Sequence, residues 1–299
     1  MLTPKTCFLT LLSMLAFAGN SLLCRLALKQ TSIDAASFTS LRLVSGAIAL
    51  YLIVLLRNRQ HHRGTLLVAA GSAVTKPLQG AAGSWTSALA LFGYAGAFSF
   101  AYVSLAAGTG ALLLFGTVQT CMVGYGLVRG ERFSRRQLVG LACAFGGLVW
   151  LLLPGAAAPP LAGASLMIVA GISWAVYSLR GKGATDPAAV TAGNFLRAAP
   201  LALALSLGTI GSASFDSMGL SYALLSGIVA SGIGYVIWYA ALSGLPATIA
   251  ATTQSSVPVL AALGGVALLG ESITMRLVLA SVAILGGVAV VISHKPVVT

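Results

Sequence analysis

Three amides, Asn20, Gln119 and Gln254, stand inside long apolar runs, together with the aromatics Phe17, Tyr94, Phe98, Trp174, Tyr177 and Trp238. Side chains of these types neither break bonds nor transfer groups. They hold a solute by hydrogen bonds and ring faces. An amide in hydrocarbon must find a partner or carry a heavy desolvation cost, so each marks a place where something polar is met. Tyr94, Phe98 and Tyr102 recur every four residues and therefore share one helix face. Ser21, Tyr235 and Tyr239 extend the set, and Thr253-Gln254-Ser255-Ser256 runs into Pro258, where a helix break would expose backbone carbonyls. The plainer reading of the aromatics is gap filling or an interface belt. The positions of Trp174, Tyr94 and Trp238 in their spans favour a pocket, whereas Phe98, Tyr102 and Tyr235 suit either role.

Other chemistries lack their residues. His61, His62 and His294 lie outside the apolar runs, and neither HExxH nor GxSxG occurs. Cys7, Cys24, Cys121 and Cys143 form no CxxC pair, so no metal site and no cofactor is expected. The five carboxylates, Asp34, Glu131, Asp186, Asp216 and Glu271, fall in or near loops, which leaves none at membrane depth for proton or sodium coupling. Glu131 and Glu271 read as tethers of a loop to the following helix. Arg42 and Arg197 do lie deep in their runs, and either clamp an anion or satisfy carbonyls structurally. Their recurrence as a pair favours the structural role.

The elements that must position these residues are membrane helices. Of 299 residues 58% are hydrophobic and 7% charged, with a mean hydropathy of +0.97, against roughly 25% charged in soluble domains. Uncharged runs predict ten helices over 6–28, 33–56, 85–106, 108–128, 136–153, 163–180, 187–208, 219–243, 246–269 and 275–293, with 57–84 as a long loop. The net charge of +12 is spread over short loops, which indicates topology and excludes a nucleic-acid partner. With the N-terminus inside, twelve basic residues lie inside and three outside, so both termini are expected in the cytoplasm. Ala16-Phe17-Ala18 imitates a signal-peptide cleavage site, but the run continues to Leu28 and has a partner later in the chain, so cleavage is not expected.

That partner is an internal repeat. Phe17–Arg25 aligns with Ile172–Arg180, and Leu41-Arg42 with Leu196-Arg197 at the same offset. Gly130-Glu131 aligns with Gly270-Glu271, each followed by a Gly-Gly helix. Two units, 1–154 and 160–295, then hold five helices each. An odd number inverts the second in the membrane, an architecture of transporters with a solute site at the midplane.

The doubled pattern resembles the drug/metabolite transporter superfamily, in its ten-helix EamA-like branch, across essentially the whole chain. Within it, Phe17–Arg25, Leu91-Phe92-Gly93-Tyr94 and Ile172–Tyr177 are similar to bacterial aromatic amino-acid exporters of the YddG type. The proline that the branch often carries in both the fourth and ninth helices is present here only as Pro258. The resemblance implies an all-α membrane protein of the bacterial inner membrane, a non-enzyme that exports aromatic or broadly neutral amino acids by alternating access, without proton coupling. The expected partners are an amino acid as small-molecule substrate and the lipid bilayer, with the chain able to act as a monomer. Another small cargo, whether a phosphorylated metabolite, a nucleotide sugar or a drug, is the alternative. A phosphorylated cargo would require Arg42 and Arg197 in the cavity. The substrate positions expected are Phe17, Asn20, Tyr94, Phe98, Gln119, Trp174, Tyr177, Trp238 and Gln254.

Overall fold

In lipid every backbone N–H and C=O must be satisfied within its own segment, so long apolar runs have helix as their solution. The computed structural model, which describes residues 4–65, 82–128, 134–155, 158–181, 184–242 and 253–293, is helical accordingly, with no strand among the described residues. The helices are α1 (Pro4–Gln30), α2 (Ala35–Thr65), α3 (Trp85–Tyr102), α4 (Ala107–Val128), α5 (Arg135–Leu152), α6 (Leu161–Gly181) and α7 (Pro187–Gly208). They continue as α8 (Ser217–Leu225), a π-helical segment (Ser226–Ile233), α9 (Gly234–Leu242), α10 (Val257–Leu269) and α11 (Met275–Ser293). Polar side chains cap several helix starts. Asp186 and Asp216 accept from Ala189 and Gly219 at the starts of α7 and α8, and Ser134 with Gln137 forms a capping box on α5.

Among the described residues seven segments are long and apolar enough to cross a membrane: α1, α2 over Ala35–Arg57, α4 over Ala107–Gly126, α5, α6, α7 and the continuous rod Ser217–Ala241. α10 and the Met275–Val290 part of α11 are apolar but shorter. α3 stays outside the set because its Trp, Tyr, Ser and Gly residues lower its mean hydropathy; it buries one face, with Tyr94, Phe98 and Tyr102, and exposes Trp85, Leu89 and Phe100 on the other. Large apolar side chains such as Phe8, Leu56, Val139, Leu207 and Val282 are exposed around the molecule, far more than a soluble monomer shows.

Two expectations need revision. α2 runs on to Thr65 instead of ending at 56. Arg57 ion-pairs with Asp186, and a basic end complements the negative end of the helix dipole. The rest of the expected long loop, 66–81, lies outside the described residues, as do Glu131 and His294. Pro258 does not break a helix interior, because α10 starts at Val257 and the proline occupies its first turn. The break lies just ahead, where Thr253-Gln254 is helical and Ser255-Ser256 is a turn closed by Ser256 N–H to Thr253 O at 3.0 Å.

The widest helix contacts are α5 with α11, α1 with the α8–α9 rod, α3 with α6, and α2 with both α7 and the rod, followed by α4 with both α6 and α10. Small residues make the closest of these possible. At the α5–α11 seam a Cβ on Gly140 would come within 2.6 Å of the Gly287 carbonyl, and one on Gly147 within 2.9 Å of Ala283 Cβ, the close approach expected from the Gly140/Ala144 and Ala283/Gly287 spacings. Gly287→Val should therefore overpack the seam and cost about 1–3 kcal/mol. Gly286→Val, with open space around it, should leave the melting temperature of purified protein unchanged.

One end of the bundle is stitched at Asp34. Its Oδ1 accepts from the Ala36 and Ser37 N–H groups at 2.9 Å, and its Oδ2 from Ser214 N–H at 3.0 Å. Partial burial raises its pKa, but these hydrogen bonds prevail and hold the carboxyl below its ordinary value. A depressed folded-state pKa contributes stability above the unfolded value, near 3.9, and that contribution disappears as pH falls through the folded value. The melting-temperature gap between wild type and Asp34→Asn should thus be constant above about pH 5 and close below about pH 4.

Candidate functional site

The candidate site is built where α1, α3, α6 and the α8–α9 rod converge, and the aromatics come from all four. Phe17 lies 6.3 Å from Trp174, 6.0 Å from Tyr235 and 5.7 Å from Trp238, measured between ring centroids. Tyr94 lies 4.8 Å from Trp174 and 5.3 Å from Phe98. Tyr177 joins through Trp174 at 5.6 Å. Most of these ring pairs meet tilted or edge-on, the arrangement their quadrupoles favour. Phe17, Tyr94, Phe98, Trp174 and Tyr235 line a small cavity of about 10 Å³, together with Asn20, Ser21, Leu114 and Phe115. That is room for about one water molecule, so a larger solute enters only when the helices part.

A polar circuit runs along this cavity. Ser226 Oγ donates to Asn20 Oδ1 at 2.6 Å, and Asn20 Nδ2 donates to Tyr94 Oη at 3.2 Å. Arg42 Nη2 also donates to Tyr94 Oη, at 3.2 Å, and its Nε donates to Ser231 Oγ at 3.1 Å. The guanidinium carbon sits 5.2 Å from the Tyr94 ring centroid and 5.0 Å from that of Phe98, within cation–π reach. Arg42 is 1% exposed, and its Nη1 has no hydrogen-bond partner. The Tyr177 and Tyr235 hydroxyls are likewise buried without a well-formed hydrogen bond.

Both serines of the circuit come from the π-helical segment. Its wider turn carries Ser226 and Ser231 to the interior, and π-bulges recur at functional sites. Close approach of α2 is allowed by glycines on both sides. A Cβ on Gly46 would come within 3.0 Å of the Gly227 carbonyl, and one on Gly227 would strike Ser45 and the Arg42 backbone.

Of the nine expected positions, Phe17, Asn20, Tyr94, Phe98 and Trp174 line the cavity, and Tyr177 and Trp238 pack behind it through ring contacts. Gln119 and Gln254 are buried but stand off the cavity wall, where α4 contributes Leu114 and Phe115. Arg42, Ser226 and Ser231, which extend the polar circuit behind the cavity wall, were not among the expected positions. The signal available was a cation and two hydroxyls inside apolar spans. The two repeat-related arginines are not equivalent: Arg197 is half-buried and donates to Gly193 O on its own helix at 2.9 Å.

Beyond the aromatic cluster, towards the Gln30 end of α1, a second cavity of about 420 Å³ opens beside Arg25, Lys29, Thr109 and Glu271. Arg25 latches this end. Its Nε is 3.0 Å from Glu271 Oε1, and its Nη1 donates to the Tyr102 and Val103 carbonyls at 2.8 and 3.0 Å. Glu271 Oε2 accepts from Ala107 N–H, at the start of α4, at 2.8 Å. Glu271 therefore ties its loop to α1 and α4 instead of to the following helix. The opposite end carries Arg180, whose Nε donates to Ser87 Oγ at 3.1 Å.

Residues 161–293 match the EamA-like transporter family. The chain is 54% identical over 291 residues to an uncharacterized protein of Pseudomonas aeruginosa, covering 97% of this chain and 96% of the other. It belongs to one family with that protein, and residues 161–293 are similar to an EamA-like transporter unit. The threonine/homoserine exporter RhtA of Salmonella typhimurium is 34% identical over 146 residues, 46% of this chain and 48% of its own. An uncharacterized transporter of Archaeoglobus fulgidus is 30% identical over 188 residues, 59% and 65% of the two chains. A solved crystal structure shares the fold with a TM-score of 0.64 over 96% of each chain at 20% identity.

Glu271→Gln keeps the shape of the latch and removes its charge. With both side chains about nine-tenths buried, loss of the charged hydrogen bonds should lower stability by about 1–3 kcal/mol. Thermal melts of purified protein check this, with Glu271→Ala falling further.

Proposed function

We propose that the chain exports amino acids, aromatic or broadly neutral, across the bacterial inner membrane by alternating access. The observation that carries this reading is the small cavity walled by rings, an amide and hydroxyls, to which α1, α3 and α4 contribute from 1–154 and α6 and α9 from 160–295. Such a lining suits a zwitterion with an apolar body, and the partial likeness to an amino-acid exporter points the same way.

The reading takes the chain as ten crossings in two inverted five-helix repeats with both termini cytoplasmic. The α8–α9 rod is then the eighth crossing, and α10 and α11 the ninth and tenth. Exchanging the halves exchanges the first helix with the sixth, the second with the seventh, and so on. The helix contacts respect that exchange. α2–α7, α4–α10 and α5–α11 map onto themselves, and α1 with the α8–α9 rod maps onto α6 with α3. Gly93-Tyr94 of α3 also recurs as Gly234-Tyr235 of α9. Two halves that differ only in direction can rock to open first one end and then the other.

Movement is read as facilitated. The described carboxylates all sit at helix ends, occupied by caps, backbone N–H groups or arginines. A phosphorylated cargo would draw on both deep arginines, and Arg197 turns to its own backbone. The test is uptake of radiolabelled amino acids into proteoliposomes, with and without a pH gradient. Saturable flux indifferent to the gradient, reduced at least about ten-fold by Trp174→Ala, is expected. Gln254→Ala, off the cavity wall, probes the ninth-helix break and should slow flux less. Absence of flux for every amino acid would refute the cargo, and abolition by a protonophore would refute the facilitated mode.

A further inference from the structure

We infer that Arg42 is the solute anchor, and that the site selects molecules bearing a single carboxylate, which docks on the free Nη1 edge of the guanidinium. The inference rests on reading the aromatic cavity as the solute site and adds the group that recognises the cargo. Three features set Arg42 apart from an arginine that merely braces helices. Three bracing arginines donate to backbone carbonyls, Arg25 to Tyr102 and Val103, Arg197 to Gly193 and Arg276 to Leu153, while Arg180, which donates to the Ser87 and Ser84 hydroxyls, is exposed at one end of the bundle. Arg42, buried, donates only to two hydroxyls, Ser231 and the cavity-lining Tyr94, and its guanidinium lies against the Tyr94 and Phe98 rings, directly behind the cavity wall. Its remaining nitrogen, Nη1, is buried without a partner.

Its charge is also unanswered. Among the described residues the carboxylates are engaged elsewhere: Asp34 by backbone N–H groups, Asp186 by Arg57, Asp216 as a cap and Glu271 by Arg25. Ring faces and hydroxyls soften the cost of a buried guanidinium but supply no negative charge. An ionisable side chain inside a membrane protein marks a functional site by default, and a guanidinium edge matches the planar fork of a carboxylate, the one anionic group of the amino-acid cargo proposed above. An ammonium on the same solute needs no carboxylate partner here, because Trp174, Tyr94 and Tyr235 offer ring faces beside it.

The test is ligand-induced stabilisation of the purified full chain, which reads binding without requiring transport. The probes are phenylalanine and threonine, their carboxamides, and 3-phenylpropionate, which keeps the carboxylate and lacks the amine. In wild type the acids should raise the melting temperature, with the amides at least about ten-fold weaker. In Arg42→Gln the acid-induced shift should be lost, whereas Arg42→Lys should keep part of it. Amides that bind as tightly as acids, acids that bind Arg42→Gln unchanged, or no shift with any carboxylate would each overturn the inference. Should Arg42→Gln fail to fold, the acid-to-amide ratio in wild type still decides. Binding of 3-phenylpropionate with no amino-acid binding would support the anchor while refuting amino-acid export. Amino-acid flux that ignores the carboxylate would do the reverse.

Discussion

A guanidinium held away from both water and carboxylates shapes the centre of this protein. Burying an isolated ion costs several kcal/mol even after relaxation, so the surrounding helices must be arranged to offset it. Tyr94 serves as hydrogen-bond acceptor and ring face at once, Phe98 supplies a second face, and the π-helical segment turns Ser231 inward. Asn20 and Ser226 then follow, because the shared Tyr94 hydroxyl fixes the amide and the amide fixes the serine. Glycines 46 and 227 let α2 approach closely enough for the guanidinium to reach them. The conformation of one side chain thus depends on four helical elements, and a movement of any one of them disturbs the others.

The same coupling explains why the cavity is small. Rings that touch each other fill the centre, and the Arg25–Glu271 latch holds α1, α4 and the loop before α11 together at one end. Tyr102 links the two regions. Its ring packs on Phe98, at 4.7 Å, while its carbonyl accepts from Arg25. Parting the latch would free Tyr102 and then Phe98, a continuous route from the end vestibule to the guanidinium.

Much of this was legible in the sequence because lipid removes ambiguity. Once an apolar run must satisfy its own backbone, its conformation is fixed, and segment boundaries at Gln30, Tyr102, Leu152 and Gly208 follow the charged and Gly/Pro-rich breaks. Phe17, Asn20, Tyr94, Phe98 and Trp174 were recoverable as polar or aromatic residues at depth. Arg42 was not, since periodicity pairs it with Arg197 and cannot tell which of two related arginines meets hydroxyls and which turns to its own helix. Nor does composition reveal that Ser226 and Ser231 lie in a π-helical segment packed against α2. Gln119 and Gln254 were expected on the same grounds and lie buried off the cavity wall. A buried amide needs a partner, but that partner need not be the solute.

The central claim is that the cluster around Arg42 opens in turn to each side of the membrane. Ser21 lines its cavity, so a Ser21→Cys variant, with the four native cysteines replaced, reports on access in oriented membrane vesicles. Labelling by a membrane-impermeant thiol reagent applied from either side, slowed by a transported amino acid, is the predicted result. A cysteine that never labels from one side while the protein still transports would contradict the account.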